Sequence, residues 1–352
     1  MGKIKERRVR TANTEIDNKA VLAEAPAKTK EFPYKKILIA VLAVVAVIAC
    51  VLLIVNAVVD SKASKLADGA PFENAVATEK VEGVLYENAA DIIKVFPSFA
   101  EAYYNASMNY NNYAGNAKSD ANIYNFVVSI TDAVAGEKSA NVANVMVLSF
   151  NKAANKVTYV TIGRSSLVEI PSVGVGPLHD AYKFGGAPLL ARTVQENYGI
   201  AINGYADMTL DSFVTAADKL GGITVDSTKL STKEDIYKYV ALSEDQDKAI
   251  KNVVTALANG AKDAGVMGLV GVVDAIADSM TANISRDDVG DLVSMGKGVF
   301  KAEATIVSVG YDTAKGLDWN AKVYEQYPEI FSLGYFDYAT EIPALQTAIY
   351  GE

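Results

Sequence analysis

The chain has 352 residues, 50% of them hydrophobic, with a formal net charge of −9, one cysteine and one histidine. That length gives ample core for one large domain or two modest ones. A lone His179 excludes a multi-histidine metal centre, a lone Cys50 excludes an internal disulfide, and no G-x-S-x-G, Walker or H-E-x-x-H motif is present.

Residues 1–36 hold ten Lys/Arg against five Asp/Glu, a net of +5, so with a whole-chain charge of −9 residues 60–352 carry −14. Between them, 37–59 (ILIAVLAVVAVIACVLLIVNAVV) is uncharged. At about 1.5 Å per residue such a run crosses a ~30 Å hydrocarbon layer. Basic before and acidic after, it reads as a single uncleaved anchor helix, with the 1–36 arm cytoplasmic and the main domain outside the cell membrane. "VIAC" at Cys50 has the look of a lipobox, yet the apolar run continues through Val51–Val55, where a lipidated cysteine would open a polar tether. The arm "GKIKERRVR" fits anionic lipid better than nucleic acid, which an acidic outer domain would repel.

Residues 60–120 read as a neck: a linker, then helical stretches interrupted by Pro97 and closed by an Asn/Tyr tract whose tyrosines either pack half-buried or meet sugars. From 121 to 311 the pattern is α/β. Strands are expected at 123–130, 144–150 and 156–162, the last two joined in a hairpin by 151–155. "GVGP" (174–177) reads as a turn. A helix is expected over 186–200, with Pro188 in its first turn and Gly199 as its stop. A strand at 204–209 is followed by an amphipathic helix at 210–222, with Phe213, Ala216, Ala217 and Leu220 on one face. Further helices are expected at 244–264, at 265–280 (apolar nearly all round) and at 283–299, opened by Ser285 and Asp288 in capping-box spacing. A closing strand covers 302–310. Hairpins mixed with crossover helices predict a mixed sheet with helices on its faces. The tail 312–352, with Trp319, Tyr335 and Phe336, is expected to pack on the domain.

Arginine is informative because only Arg164, Arg192 and Arg286 lie past the apolar run. Arg164 follows a strand end and precedes Ser165 and Ser166, so hydroxyls and backbone amides beside a guanidinium form a candidate phosphate cradle.

The stretch "NVMVLSFNKAANKVTYVTIGRSSLVEIP" resembles the core of the LytR-CpsA-Psr cell-envelope family. The resemblance continues through "HDAYKFGGAPLLARTVQENYGIAINGYADMTLDSFVTAADKLGGITVD" and resumes at "TANISRDDVGDLVSMGKGV". It implies an α-β-α sandwich with a mixed central sheet, behind one transmembrane helix. It implies a polyprenyl phosphate or pyrophosphate carrier in an apolar cavity lined by 265–280, and phosphotransfer of its glycopolymer to peptidoglycan. Arg164 with Ser165 and Ser166 would hold phosphate, and Asp132 with Asn144 would hold Mg2+. His179 or Asp180 would be the base, with Tyr182 and Arg192 in the pocket.

The sequence departs from the family pattern where Gly163, Ser165 and Ser166 replace proline, aspartate and threonine around Arg164. It departs again where Asn144 replaces an aspartate, and where no arginine occurs between 193 and 285. Each lost charge-assisted contact to a pyrophosphate forfeits about 1.5–3 kcal/mol. Two readings follow: a divergent transferase, or a catalytically impaired relative that binds lipid or glycopolymer as a scaffold partner.

Overall fold

The computed structural model describes residues 67–131, 142–243, 280–285, 303–309 and 337–351, with scattered residues between 249 and 263 and between 325 and 335. The expected anchor at 37–59 lies outside them. Among the described residues no helix is long and apolar enough to cross a membrane.

Two helices come first, α1 (Val84–Val95) and α2 (Pro97–Tyr113). Pro97 interrupts the helical stretch as expected, and it does so by opening α2 from the first position, where its missing N–H costs nothing. Strands β1 (Ile123–Thr131), β2 (Val142–Asn151) and β3 (Lys156–Ile162) follow, then the short pair β4 (Leu167–Ile170) and β5 (Gly174–Pro177). Helix α3 (Leu178–Tyr198) leads to β6 (Gly204–Thr209) and α4 (Leu210–Lys219). A small hairpin, β7 (Ile223–Val225) and β8 (Thr228–Leu230), precedes α5 (Lys233–Ala241). Strands β9 (Thr281–Ile284) and β10 (Glu303–Val309) and helix α6 (Tyr338–Tyr350) complete the described elements.

Six strands make one mixed sheet in the order β10-β3-β2-β1-β6-β9. The hairpin β2–β3 is antiparallel, as expected, while β1 runs parallel to β6 and β3 parallel to β10. Strands β1, β3, β6 and β10 therefore all end at one edge of the sheet, where β2 begins. Both faces are buried. One carries Ile123, Val127, Val145, Val147, Val160 and Ile162 against α3 and α6, and the other carries Phe126, Val128, Ile130, Met146 and Leu148. This explains why the central strands read as near-continuous apolar runs. The helices expected at 244–264 and 265–280 lie wholly or mostly outside the described residues.

Three expectations change. "GVGP" is a strand, not a turn: β5 pairs with β4 from Leu167↔Pro177 to Ile170↔Gly174. Its glycines conceal a strand whose stability comes from the hairpin partner and from the Tyr86 ring resting on Gly176. The helix expected from 186 begins at Leu178. Gly186 breaks it at φ 66°, and Pro188 stands just after that break, so the two halves together form α3. Asn283 and Ile284, expected to open a helix, belong to β9, paired with Tyr205 and Gly204 of β6. Ser285 follows this strand, and Asp288 lies outside the described residues.

The neck is not a free linker where it is described. Leu85, Ile92, Phe96, Phe99 and Ala106 pack with Leu167 and Val175 of the β4–β5 hairpin and with Ile330 and Leu333. Ile342, Leu345 and Ile349 of α6 join the main core.

Candidate functional site

The carboxyl edge of a sheet with parallel strands is where α/β folds gather ligands. Here β3 ends at Ile162, and Gly163–Ser166 carries the chain to β4. Arg164 is exposed, and its Nη1 donates to the Val142 carbonyl at 3.3 Å. Val142 is the strand partner of Thr131, the residue before Asp132. Arg164 thus lies over the corner where β1 ends and β2 begins, while Asp132 itself lies outside the described residues.

The first turn of α3 closes over the same corner. The Leu178 amide donates to the Ser166 carbonyl at 2.9 Å and the His179 amide to the Arg164 carbonyl at 2.8 Å. His179 Nδ1 is 3.0 Å from that same Arg164 oxygen. A carbonyl can only accept, so Nδ1 carries the hydrogen and the neutral ring keeps its lone pair at Nε2. Nε2 lies 3.6 Å from Asp180 Oδ1. Burial pushes the His179 pKa below its ordinary 6.5, against the opposing pull of the Asp180 charge. Tyr86, from α1, donates its hydroxyl to Asp180 Oδ2 at 2.8 Å.

The Arg164 carbonyl thus brings His179 and Asp180 to the same corner. Three backbone amides around Arg164 are engaged within the fold. The Gly163 amide donates to Val309, that of Ser166 to Gly163 and that of Leu167 to Gly334. Ser166 is fully buried, so its hydroxyl does not face a ligand, whereas Ser165 is half-buried. Arg192 is engaged elsewhere: its Nε donates to Glu196 at 3.0 Å and its Nη1 to the Ala75 carbonyl at 2.9 Å, strapping α3 to the N-terminal segment.

Tyr182, one turn beyond His179, donates to Asp207 Oδ2 at 2.8 Å, and Ser129 donates to Asp207 Oδ1 at 2.6 Å. Burial raises the Asp207 pKa, and the two hydroxyl donors oppose the rise. Sequence reasoning missed Asp207, Ser129 and Tyr86. The signal for Asp207 was a charge in "GYADMT" on the same strand face as buried Tyr205. Tyr86 gave no signal, because 94 residues separate it from Asp180.

Asn144 stands opposite Ile130, and its Oδ1 is buried with no hydrogen-bond partner among the described residues. Such an oxygen is of the hard kind that magnesium takes. Among the described residues, however, no group of three or more Asp, Glu, His or Cys could hold a metal ion. Asp132, the other expected holder, lies outside the described residues.

Residues 97–251 match the model of the LytR_cpsA_psr family. The polyisoprenyl-teichoic acid–peptidoglycan teichoic acid transferase TagU of Oceanobacillus iheyensis is 30% identical over 90 residues, covering 24% of this chain and 28% of the relative. The TagU of Halalkalibacterium halodurans is 22% identical over 180 residues, covering 44% of this chain and 59% of the relative. The chain thus spans 28% and 59% of the length of these two curated relatives. Among solved structures, TagV of B. subtilis aligns with a TM-score of 0.45 at 16% identity, covering 66% of this chain and 99% of that one. The LytR-CPS2A-psr family protein YwtF (TagT) with bound octaprenyl pyrophosphate lipid aligns with a TM-score of 0.43 at 16% identity, covering 66% and 93%.

Proposed function

Because residues 97–251 match the LytR_cpsA_psr family model, we propose that this chain is a member of that family and works in cell-envelope assembly. On this reading it binds a polyprenyl-phosphate-linked glycopolymer at the carboxyl edge of its sheet. The observation that carries the proposal is the corner itself: an exposed guanidinium beside a neutral histidine whose Nε2 can accept a proton. Arg164 would hold the anionic head group. His179 would take the proton of an incoming sugar hydroxyl at Nε2 as that oxygen bonds to phosphorus and the bond from that phosphorus to the lipid carrier breaks, releasing polyprenyl phosphate, and the Asp180 carboxylate would stabilise the resulting imidazolium. Magnesium, if bound, would neutralise phosphate charge, with Asn144 and Asp132 as its proposed holders. The apolar run 37–59 would tether the domain to the cell membrane with its bulk outside, a reading supported by the charge asymmetry around that run.

One observation favours the second reading, binding without turnover. Where the family pattern has a hydroxyl-bearing turn, Ser166 is buried and the amides of Gly163, Ser166 and Leu167 are already bonded. A shortage of donors at the head group weakens the stabilisation of a transition state more than it weakens the holding of a lipid tail.

The full chain in detergent, titrated with polyprenyl phosphate, tests the shared part. Wild type is expected to bind, and Arg164→Ala to bind about ten- to a hundredfold more weakly, as the loss of one charge-assisted contact predicts. No uptake by wild type would overturn both readings. Incubation with a lipid-linked glycopolymer, peptidoglycan and Mg2+ separates them, since covalent product supports the transferase and its absence supports the binding partner.

A further inference from the structure

A concavity of about 340 Å³ opens between α2 and the start of α6. The α2 wall carries Asn105, Asn109 and Asn112 with Met108 and Tyr113, and Asp337 faces them from the α6 side. These α2 positions recur at helical spacing, so one face of the helix presents the amides together. Asparagine is a poor helix former, because its side chain competes for backbone hydrogen bonds. Of these three, Asn109 serves the packing of the fold, since it is buried and donates to the Asn197 carbonyl at 2.7 Å. Asn105 and Asn112 are exposed. Beside them Tyr104 and Met108, one turn apart, are 56% and 63% exposed, an unusual display of apolar surface on so polar a helix.

The lining chemistry selects the ligand class. No Lys or Arg lines the groove, and the one charge, Asp337, is occupied as the helix cap, accepting from the Ala339 amide at 3.1 Å and from Thr340 Oγ1 at 2.7 Å. A phosphate would need cations and an acyl chain would need apolar walls. Amides that both donate and accept, set beside a ring and a thioether, match a ligand with hydroxyl or acetamido groups and an apolar C–H face. We propose that this groove is a saccharide subsite for an uncharged, N-acetylated sugar chain.

The groove is close to the first site. Tyr338, which also lines it, donates its hydroxyl to the Leu167 carbonyl. Leu167 lies three residues beyond Arg164, at most about 11 Å of extended chain. The inference deepens the proposed function by giving it a sugar-holding surface. It rests on that reading only for which sugar chain occupies the groove.

The test titrates the full chain in detergent with an N-acetylglucosamine tetrasaccharide. It then measures cosedimentation with peptidoglycan stripped of teichoic acid and, separately, competition by isolated glycopolymer. Wild type is expected to bind the tetrasaccharide, with little dependence on salt because the lining lacks cations. Asn105→Ala combined with Asn112→Ala is expected to weaken binding about tenfold or more, the scale of one or two lost hydrogen bonds. Both positions are exposed, so folding should persist, and an unchanged Tm verifies it. Retention on stripped peptidoglycan would identify the acceptor strand as occupant, and competition by glycopolymer alone would identify the donor chain. Failure of wild type to bind the sugar, or equal binding by the double variant, would overturn the inference. Loss of polyprenyl phosphate binding with sugar binding intact would instead overturn the proposed function and leave the groove standing.

Discussion

At Arg164 the side chain and the backbone do different things. Its guanidinium reaches Val142, while its carbonyl fixes both the amide and the ring of His179. The protonation state of His179 is therefore tied to the corner. Burial holds its pKa below 6.5, so the unfolded chain binds the proton more readily than the folded one. The stability this contributes is fully present above about pH 6.5 and is lost as pH falls through the folded value. An NMR titration of the imidazole should give a midpoint below 6.5. Asp180→Asn should lower it further, because the Asp180 charge is what raises it. A midpoint that rises in the variant would refute the assigned contact. Asp207 runs the other way. Its pKa is raised above 3.8 by burial, so its contribution is fully present below that value and is lost as pH rises through the folded pKa. Asp207→Asn should flatten the pH dependence of Tm across that window.

Among the elements, the β4–β5 hairpin and α3 frame the corner. Gly176 in β5 leaves room for Tyr86: a Cβ there would overlap the tyrosine hydroxyl and lie 2.6 Å from Cζ. Gly176→Ala should push the ring away from Asp180 and cost about 1–3 kcal/mol, the usual scale of overpacking. Thermal unfolding should show the loss, and Gly176→Ala combined with Tyr86→Ala should lose less than the two single changes together. An additive double variant would mean that the two residues do not meet. Helix α3 ends at Gly199, in the left-handed region at φ 62°, and this stop is legible from the sequence alone. Its beginning is not. Leu178, Ala181 and Phe184 are buried at helical spacing, but the glycine pair Gly185-Gly186 hides that turn from a reading based on continuous periodicity. At α4, Thr209 and Ser212 form a reciprocal capping box, whereas Gly221 and Gly222 have positive φ and end the segment as expected.

Across the whole molecule, chain segments far apart in sequence complete one body. Helix α6 sets Ile342, Leu345 and Ile349 into the main core, and the Ala348 carbonyl accepts from Lys156 Nζ at 3.0 Å and from Thr158 Oγ1 at 3.2 Å. Three buried aliphatic side chains contribute about 5–9 kcal/mol together, comparable to the net stability of a typical domain. A chain ending at residue 336 should therefore lose cooperative unfolding and aggregate on expression. A sharp thermal transition in the truncated chain would contradict this. The sequence by itself determined the strands β1, β2, β3, β6 and β10, because buried parallel and hairpin strands need runs of β-branched and apolar residues that few other structures tolerate. It also determined the stop at Gly199 and the placing of Arg164 at a strand end. Tertiary structure alone decided that "GVGP" is a strand, that Ser166 is buried, that Arg192 straps the N-terminal segment, and that Tyr86 and Asp207 join the site. Those outcomes depend on contacts between residues tens of positions apart, and no local pattern records which side chain will stand opposite another once the sheet has closed.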